Sequence, residues 1–473
     1  MTFSNKKKQM LSKTLQARYL ANTWDQIVSR IMSSDIVRNM TVKQLSSLEH
    51  VLSTKTFIPA GNTLTYNADL IKTNYTKELR PNCSIIHNVS VDQARHLWER
   101  SIGFGTTCNA NENPVHHIHQ LQDAWNSMNL GHRPMRGNMY SYPIWGKYIN
   151  EFIALKSSEQ RANQIPAFNI SVRINTKMDI PVEVLRKIAE NAWKTGDPGI
   201  IFEDRINSNM PFVHKRRRMQ TVVPCGEQSM YNGEYCTLGS INLNSSELKN
   251  SDGTMSPERL AHATRIAVRF LDHCVDVINV GDENEYRRIG LGVMGWADYL
   301  GSLGLAYDSN LALEHAKWLS MYFGAVARNE SIRLALEKGT FPKWNLRDYS
   351  LNKQIIRNDS IMIPNEFLSY SHGTRNISTT CIAPTGGISL LTGNRGFSIE
   401  PFFEDAGNIN YLSHLNMVSA WQQGICNSIS KTINFPQNST PNDLYQSIMY
   451  SYVNPYIKSL TMYRNGSRSG QPI

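Results

Sequence analysis

The chain lacks any run of about 18 apolar residues, the length a helix needs to cross a bilayer, so a spanning helix is excluded. Its start, MTFSNKKKQMLSK, carries a basic patch with no apolar stretch behind it, which excludes a secretory signal. Cysteine is scarce. Seven in 473 residues do not make a secreted disulfide scaffold. A reducing cytoplasm is the expected location (the host's, if the chain is virus-encoded). No Gly/Ser linker, tandem repeat or low-complexity tract divides the sequence. Only 19% of residues are charged while 41% are hydrophobic, which excludes global disorder. Acidic residues are the minority, 39 against 49 basic ones, and leave +10. Lys6–Lys8 and Lys215–Arg218 are the clearest basic clusters. They suit an anionic partner, a nucleic acid or a phosphorylated substrate. Neither is interleaved with stacking aromatics as single-strand binders are.

What is present is an alternation of periodicities. Residues 10–50 read as helical, with Leu15, Tyr19, Trp24, Ile27, Val28 and Ile31 at spacings of three and four. From about 55 onward short apolar runs alternate with helical patterns. Strands are expected at Cys83–Val89, Phe168–Ile174, Gly199–Phe202, Thr221–Val223, Ile377–Ala383 and Ser459–Tyr463. Helices are expected at Val91–Ser101, Ile144–Leu155, Pro181–Lys194, Ser256–Val280 and Ala312–Glu337. Segments 103–114 and 129–139, rich in Gly, Asn, Pro and Arg, read as loops. The order predicts α/β architecture: an N-terminal helical segment, 1–54, followed by one large domain, 55–473.

Four segments carry chemistry. In Val223-Pro224-Cys225-Gly226-Glu227-Gln228 a thiol and a carboxylate stand two residues apart, on one face if the backbone is extended. A second cysteine, Cys236, opens CTLGSINL at 236–243, and a third, Cys83, heads an apolar run after Asn82. Ala383-Pro384-Thr385-Gly386-Gly387-Ile388-Ser389 places glycines and hydroxyls after an apolar stretch, the make-up of a phosphate-binding turn. It is not a P-loop, since no Gly-Lys-Ser/Thr follows. His116, His117 and His119 have no ligand partner at metal spacing, so no metal site is expected.

Taken in order, these segments resemble the catalytic subunit of ribonucleotide reductases of the class I and class II type. The matching stretches are PAGNTL at 59–64, Cys83, RGNM at 136–139, NISV at 169–172, GDPGIIF at 196–202, PCGEQ at 224–228 and CTLGSINL. RIGLGVMG at 288–295, APTGGIS, GFSIEP at 396–401 and YRNGSR at 463–468 complete them. The resemblance implies a ten-stranded α/β barrel of two five-stranded parallel halves set antiparallel, with a finger loop inside. It implies Cys225 as the thiyl radical, Glu227 as general base, and Cys83 and Cys236 as the redox pair that ends as a disulfide. Pro384, Thr385, Gly386, Gly387, Ile388 and Ser389 would hold substrate phosphates, with Thr63 and Asn82 as further substrate contacts. Arg136 would relay a deoxynucleoside triphosphate effector, and Tyr463 would serve radical transfer. Cys108, Cys274, Cys381 and Cys426 match no family role, and Cys274 and Cys381 read as core.

The expected reaction is reduction of a ribonucleoside di- or triphosphate to the 2′-deoxyribonucleotide. The radical source is either adenosylcobalamin or a separate ferritin-like dimetal subunit. Met462-Tyr463 stands where class I enzymes have two tyrosines, while the PCGEQ and YRNGSR wording leans to class II. The roughly 50 residues before the barrel-like part are fewer than the family's ATP-cone needs, so no ATP/dATP switch is expected, and with no cysteine after Cys426 in this sequence the expected reductant is an external dithiol, thioredoxin-like or a small thiol. A homodimer is expected, with no membrane and no direct nucleic-acid partner. One departure bears on activity: the family has Asn where this chain has Val223. Two alternatives therefore stand beside the enzyme, a non-catalytic nucleotide-binding relative and, more remotely, a basic nucleic-acid-binding protein.

Overall fold

The computed structural model describes residues 15, 18–19, 21–66, 78–128, 137–278 and 285–468. Five strands run parallel in sequence order: β2 (Cys83–Ile85), β3 (Gly103–Thr107), β4 (Asn138–Pro143), β5 (Phe168–Ile174) and β6 (Gly199–Phe202). Helices Val91–Glu99, Pro114–Asn126 and Val182–Thr195 return the chain between them. Parallel neighbours need such crossovers. The helices start cleanly: Ser90 closes a capping box with Gln93, and Asn113 accepts from two amides ahead of Pro114.

The second half is antiparallel to the first. β8 (Tyr235–Asn242) pairs antiparallel with β2 and parallel with β9 (Ile289–Met294). β1 (Phe57–Pro59) lies along the same edge of β8, beyond β2. On the far side β12 (Ser459–Arg464) pairs antiparallel with β6 and parallel with β11 (Thr432–Phe435). Two parallel single-residue bridges, Leu291↔Thr380 and Ile382↔Ile429, join β9 to the 377–383 segment and that segment to Ile429, three residues ahead of β11. The order and directions are those of the expected fold, a large ten-stranded sheet with a parallel half of five set antiparallel to the second half, and only single bridges join β9 to the segments ahead of β11. The segment contributes two contacts rather than a ladder, so its expected strand is realised only as bridges. β7 (Phe212–His214) and β10 (Tyr349–Leu351) form a separate small sheet.

Other expectations shift. The first five residues of the 103–114 loop are β3, fully buried. A Cβ at Gly105 would sit 2.1 Å from the Val222 carbonyl oxygen, so glycine marks close packing there, not a turn. Residues 138–139 of the second loop belong to β4, and the helix expected from Ile144 begins at Ile149. Thr221–Val223 is no strand: only Val222 bridges, to Ser229. Phe168–Ile174 and Gly199–Phe202 appear with the predicted bounds.

The 221–231 segment is the finger. It meets β3 at Gly105 and β4 through Ser141 Oγ, which donates to Gln220 O at 3.3 Å. It meets β5 through Asn169 Nδ2 on Pro224 O at 3.1 Å, and β9 through Gln228 Nε2 on Ile289 O at 3.4 Å. Contacts on strands from both halves place it inside the ring. At its base Arg288, on the lead into β9, holds Glu234 through two hydrogen bonds of 3.0 and 2.9 Å, both side chains buried. The N-terminal helices Trp24–Met32 and Val42–Ser53 share one hydrophobic core with the second half, including Ile27, Ile31, Leu48 and Leu52.

Candidate active site

The tip of the finger is a tight turn. Val223 N donates to Gln228 O at 2.9 Å, Gly226 N donates to Val223 O at 2.8 Å, and Gly226 takes φ +82°. The turn gives its residues opposite environments. Cys225 is exposed, and Glu227 is 3% exposed. Burial pushes the Glu227 carboxyl up to about 7, and among the described residues its Oε2 has no hydrogen-bond partner. A carboxyl poised there exchanges protons at neutral pH. Val223 is fully buried in a small cluster with Ile85, Met230, Cys236, Leu238 and Cys381. Its side chain therefore brings methyl groups and no hydrogen-bond donor to this cluster.

Cys83 and Cys236 are directly opposite each other in the β2–β8 register. Opposed residues of an antiparallel pair project to one face, with Cα atoms about 4.5–5.5 Å apart, inside the span a disulfide bridges. Cys236 is fully buried, which raises its thiol well above the ordinary value, and the charges of Cys381 and Glu227 act in the same direction. Asn82 secures the pair. Its N donates to Cys236 O at 2.9 Å and its Oδ1 accepts from Leu238 N at 3.0 Å. Its side-chain oxygen thus serves the strand junction.

The Pro384–Ser389 turn opens a helix over Gly386–Thr392. Thr385 adopts φ +58°, its Oγ1 lies 2.9 Å from Ser389 Oγ, and it accepts from Ser398 N at 2.7 Å. Space above Gly386 is open. A Cβ at Gly387 would meet the Tyr19 hydroxyl at 2.8 Å and the Arg18 guanidinium at 3.1 Å. Sequence reasoning passed over Arg18, which stands alone in a helical stretch far from the turn along the chain. Ile388 packs into the core, so only its backbone serves the turn. Thr63 is buried.

Tyr463 lies on β12, and its buried hydroxyl has no hydrogen-bond partner among the described residues. The same strand carries Ser459, whose Oγ is 3.6 Å from where a Gly226 Cβ would be. Arg136 lies outside the described residues. His117 is engaged by Tyr140 Oη at 2.8 Å and Val89 O at 2.9 Å.

Asn427 is a residue that sequence reasoning missed. Its Oδ1 accepts from Ser229 N and Ser229 Oγ, both at 2.9 Å, and its Nδ2 donates to Ser229 O at 3.1 Å. Ser428 N then donates to Glu227 O at 3.2 Å. Cys426 beside it is fully buried. Burial alone would raise this thiol, but Arg328 and the hydroxyls of Ser378 and Thr380 outweigh it and lower the thiol to about 7.

The family described as "Ribonucleotide reductase, barrel domain" matches residues 177–407 and 399–463. A "Vitamin B12-dependent ribonucleoside-diphosphate reductase" of Mycobacterium tuberculosis is 27% identical over 464 residues, covering 80% of this chain and 63% of that protein. One of the same name from Thermoplasma acidophilum is 34% identical over 284 residues, covering 54% of this chain and 34% of that protein. A "Ribonucleoside-diphosphate reductase subunit alpha" of Chlamydia muridarum is 30% identical over 265 residues, 49% of this chain and 24% of that protein. The chain thus spans less than two thirds of the length of these relatives.

Proposed function

The chain belongs to the ribonucleotide reductase family by its barrel domain, and on that premise we propose that it reduces ribonucleotides to 2′-deoxyribonucleotides by thiyl-radical chemistry, supplying DNA precursors. The observation that carries this reading is the Cys83–Cys236 register beside a finger that presents Cys225 and buries Glu227. Cys225, as a thiyl, takes the ribose 3′ hydrogen. Glu227 accepts the 3′-hydroxyl proton. The 2′-hydroxyl leaves as water with a proton from the Cys83/Cys236 pair. The pair supplies two electrons and its second hydrogen to C2′ and closes to a disulfide, Glu227 returns its proton to O3′, and Cys225 returns the 3′ hydrogen to C3′ and is again a thiyl. A thioredoxin-like protein or small thiol then reduces the disulfide by exchange. Pro384–Ser389 hold the substrate phosphates, and the substrate is a diphosphate, as in the names of the relatives above.

The names of two of those relatives favour adenosylcobalamin over a ferritin-like subunit as radical source. The residues present fit such a group. Cys225 is exposed at the loop tip, and the Tyr463 hydroxyl on neighbouring β12 is buried and unpartnered among the described residues. When bound, the cofactor supplies the hydrogen-abstracting radical, and Cys225 and Tyr463 are the residues that would face it. The reading keeps a homodimer, a deoxynucleoside triphosphate effector and a reducing cytoplasm. Among the described residues no helix is long and apolar enough to cross a membrane.

Purified protein given CDP, dithiothreitol and adenosylcobalamin should form dCDP. Cys225→Ala should abolish product, and Cys83→Ser or Cys236→Ser should block turnover. Product that persists in Cys225→Ala would falsify the mechanism. Product only on adding a dimetal subunit would move the radical source to that subunit, with Tyr463 on the transfer path, as in class I. No product under either condition is what the Val223 pseudoenzyme reading expects.

A further inference from the structure

The Arg216–Arg218 cluster has no part in this chemistry, yet it borders a built cavity. The five parallel strands of the first half end on one side of the ring. Cys83 opens β2 at the other side. Where the strands end, two cavities of about 250 and 340 Å³ share His87 and Gln220. The deeper one is walled by residues at the ends of β2 to β6, including Thr107, Pro143, Arg173 and Glu203, with the exposed Trp145 at its rim. The outer one is lined by Arg216, Arg217 and Arg218 with Tyr231. Ligands of parallel α/β sheets bind outside the carboxyl ends of strands, and small-molecule pockets run to roughly 300–1,000 Å³.

Polar groups in this space are unsatisfied. Arg173 is 3% exposed and spends one nitrogen on Glu203 at 2.7 Å, but its Nε has no partner. The buried Nε2 of His87 has none either. Among the described residues Arg216, Arg217 and Arg218 form no ion pair with a carboxylate. Arg217 instead lies over the Tyr231 and Tyr286 rings at 5.2 and 5.3 Å and donates to the Tyr286 hydroxyl. Four guanidinium groups border this space; Glu203 lies in its wall, with Glu112 near Cys108, Glu234 behind Tyr231, and Glu285 and Asp348 on the outer side. Guanidinium forks favour phosphate oxygens, and an unpaired buried donor is costly until something accepts from it.

We propose that this double cavity is an anion site for a phosphorylated small molecule of nucleotide size. Its phosphates lie on Arg216–Arg218, and the remainder reaches past His87 toward Arg173 and Trp145. The site stands at the base of the finger, since Gln220 and Tyr231 flank the Val222↔Ser229 bridge. Its occupancy is a binding property, independent of the redox reading above.

The test uses the full chain, an azido-adenosine triphosphate photoprobe and peptide mapping. Label should appear in peptides carrying Trp145 or Gln220, should be displaced by inorganic tripolyphosphate, and should fall at least tenfold in Arg216→Ala/Arg218→Ala. Both arginines are exposed, so unchanged far-UV circular dichroism confirms that the variant folds. Label confined to other segments, such as 383–398, overturns the proposal. So does label unaffected by the double substitution, or label displaced by a single-stranded oligonucleotide but not by tripolyphosphate.

Discussion

Glu227 owes its proton affinity to what surrounds it. Burial raises the carboxyl to about 7, and among the described residues no side chain donates to Oε2. If Glu227 is the base, kcat/KM falls as pH drops through about 7, because the protonated carboxyl cannot accept the 3′-hydroxyl proton. The effect on stability has the matching sign. A carboxyl raised in the folded state favours folding when protonated, so stability declines as pH rises from the unfolded value toward about 7. Val223→Asn places an amide donor where only methyl groups now pack. It should move the acidic limb of the pH–rate profile down by about one unit, since a hydrogen bond to the charged form favours it. A limb that stays put would show that position 223 does not speak to the carboxyl. Glu227→Gln should cost roughly 10²–10⁴ in kcat and erase that pH dependence of stability. At this scale the sequence was most informative about Cys83, Cys225, Glu227 and Cys236, because they sit in three short motifs, Cys225 and Glu227 sharing one. Asn427 was illegible: its partners Gln228 and Ser229 are 199 and 198 residues away, and nothing local marks the register that joins them.

Among the elements, the finger depends on what the strands omit. Gly105 on β3 has no Cβ, and the Val222 carbonyl occupies that space. Gly105→Ala should push the finger off β3, costing about 1–3 kcal/mol as overpacking does and lowering turnover further than a comparable stability loss elsewhere. Denaturant midpoints and dCDP formation, measured side by side with a surface control of equal destabilisation, separate the two effects. Equal activity in the two variants would mean that the loop tip tolerates the shift. The same packing explains the misread elements. Gly-rich 103–107 has turn composition, but its glycines admit the finger. Apolar Thr221–Val223 has strand composition, but inside the ring only one bridge is open to it. Phe168–Ile174 and Gly199–Phe202 were legible because, Asn169 apart, both are buried along their length, as parallel strands are, and keep their apolar residues close together.

Across the whole molecule, the N-terminal helices that composition separates from the barrel are part of its second half. Trp24 Nε1 donates to Leu52 O at 2.8 Å, and Ile27, Ile31, Leu48 and Leu52 share a core with Phe57, Phe270 and Leu271. The ring is also thinnest on that half, where two single bridges replace ladders. A chain beginning at residue 55 therefore loses cover where backbone pairing is sparse. It should bind 1-anilinonaphthalene-8-sulfonate and lose near-UV circular dichroism while keeping most of its helix signal, the behaviour of a loosened core. A cooperative, native-like near-UV transition in the truncated chain would refute this. A milder change probes the other consequence of the same packing. The segment brings Arg18 to within 3.1 Å of the space above Gly387. Arg18→Glu puts a like charge beside bound phosphates, so KM for CDP should rise about tenfold, a difference of about 1.4 kcal/mol, with kcat kept within about twofold of the parent. A fall in kcat with KM unchanged would instead assign Arg18 to the architecture and leave phosphate recognition to Thr385, Gly386, Gly387 and Ser389.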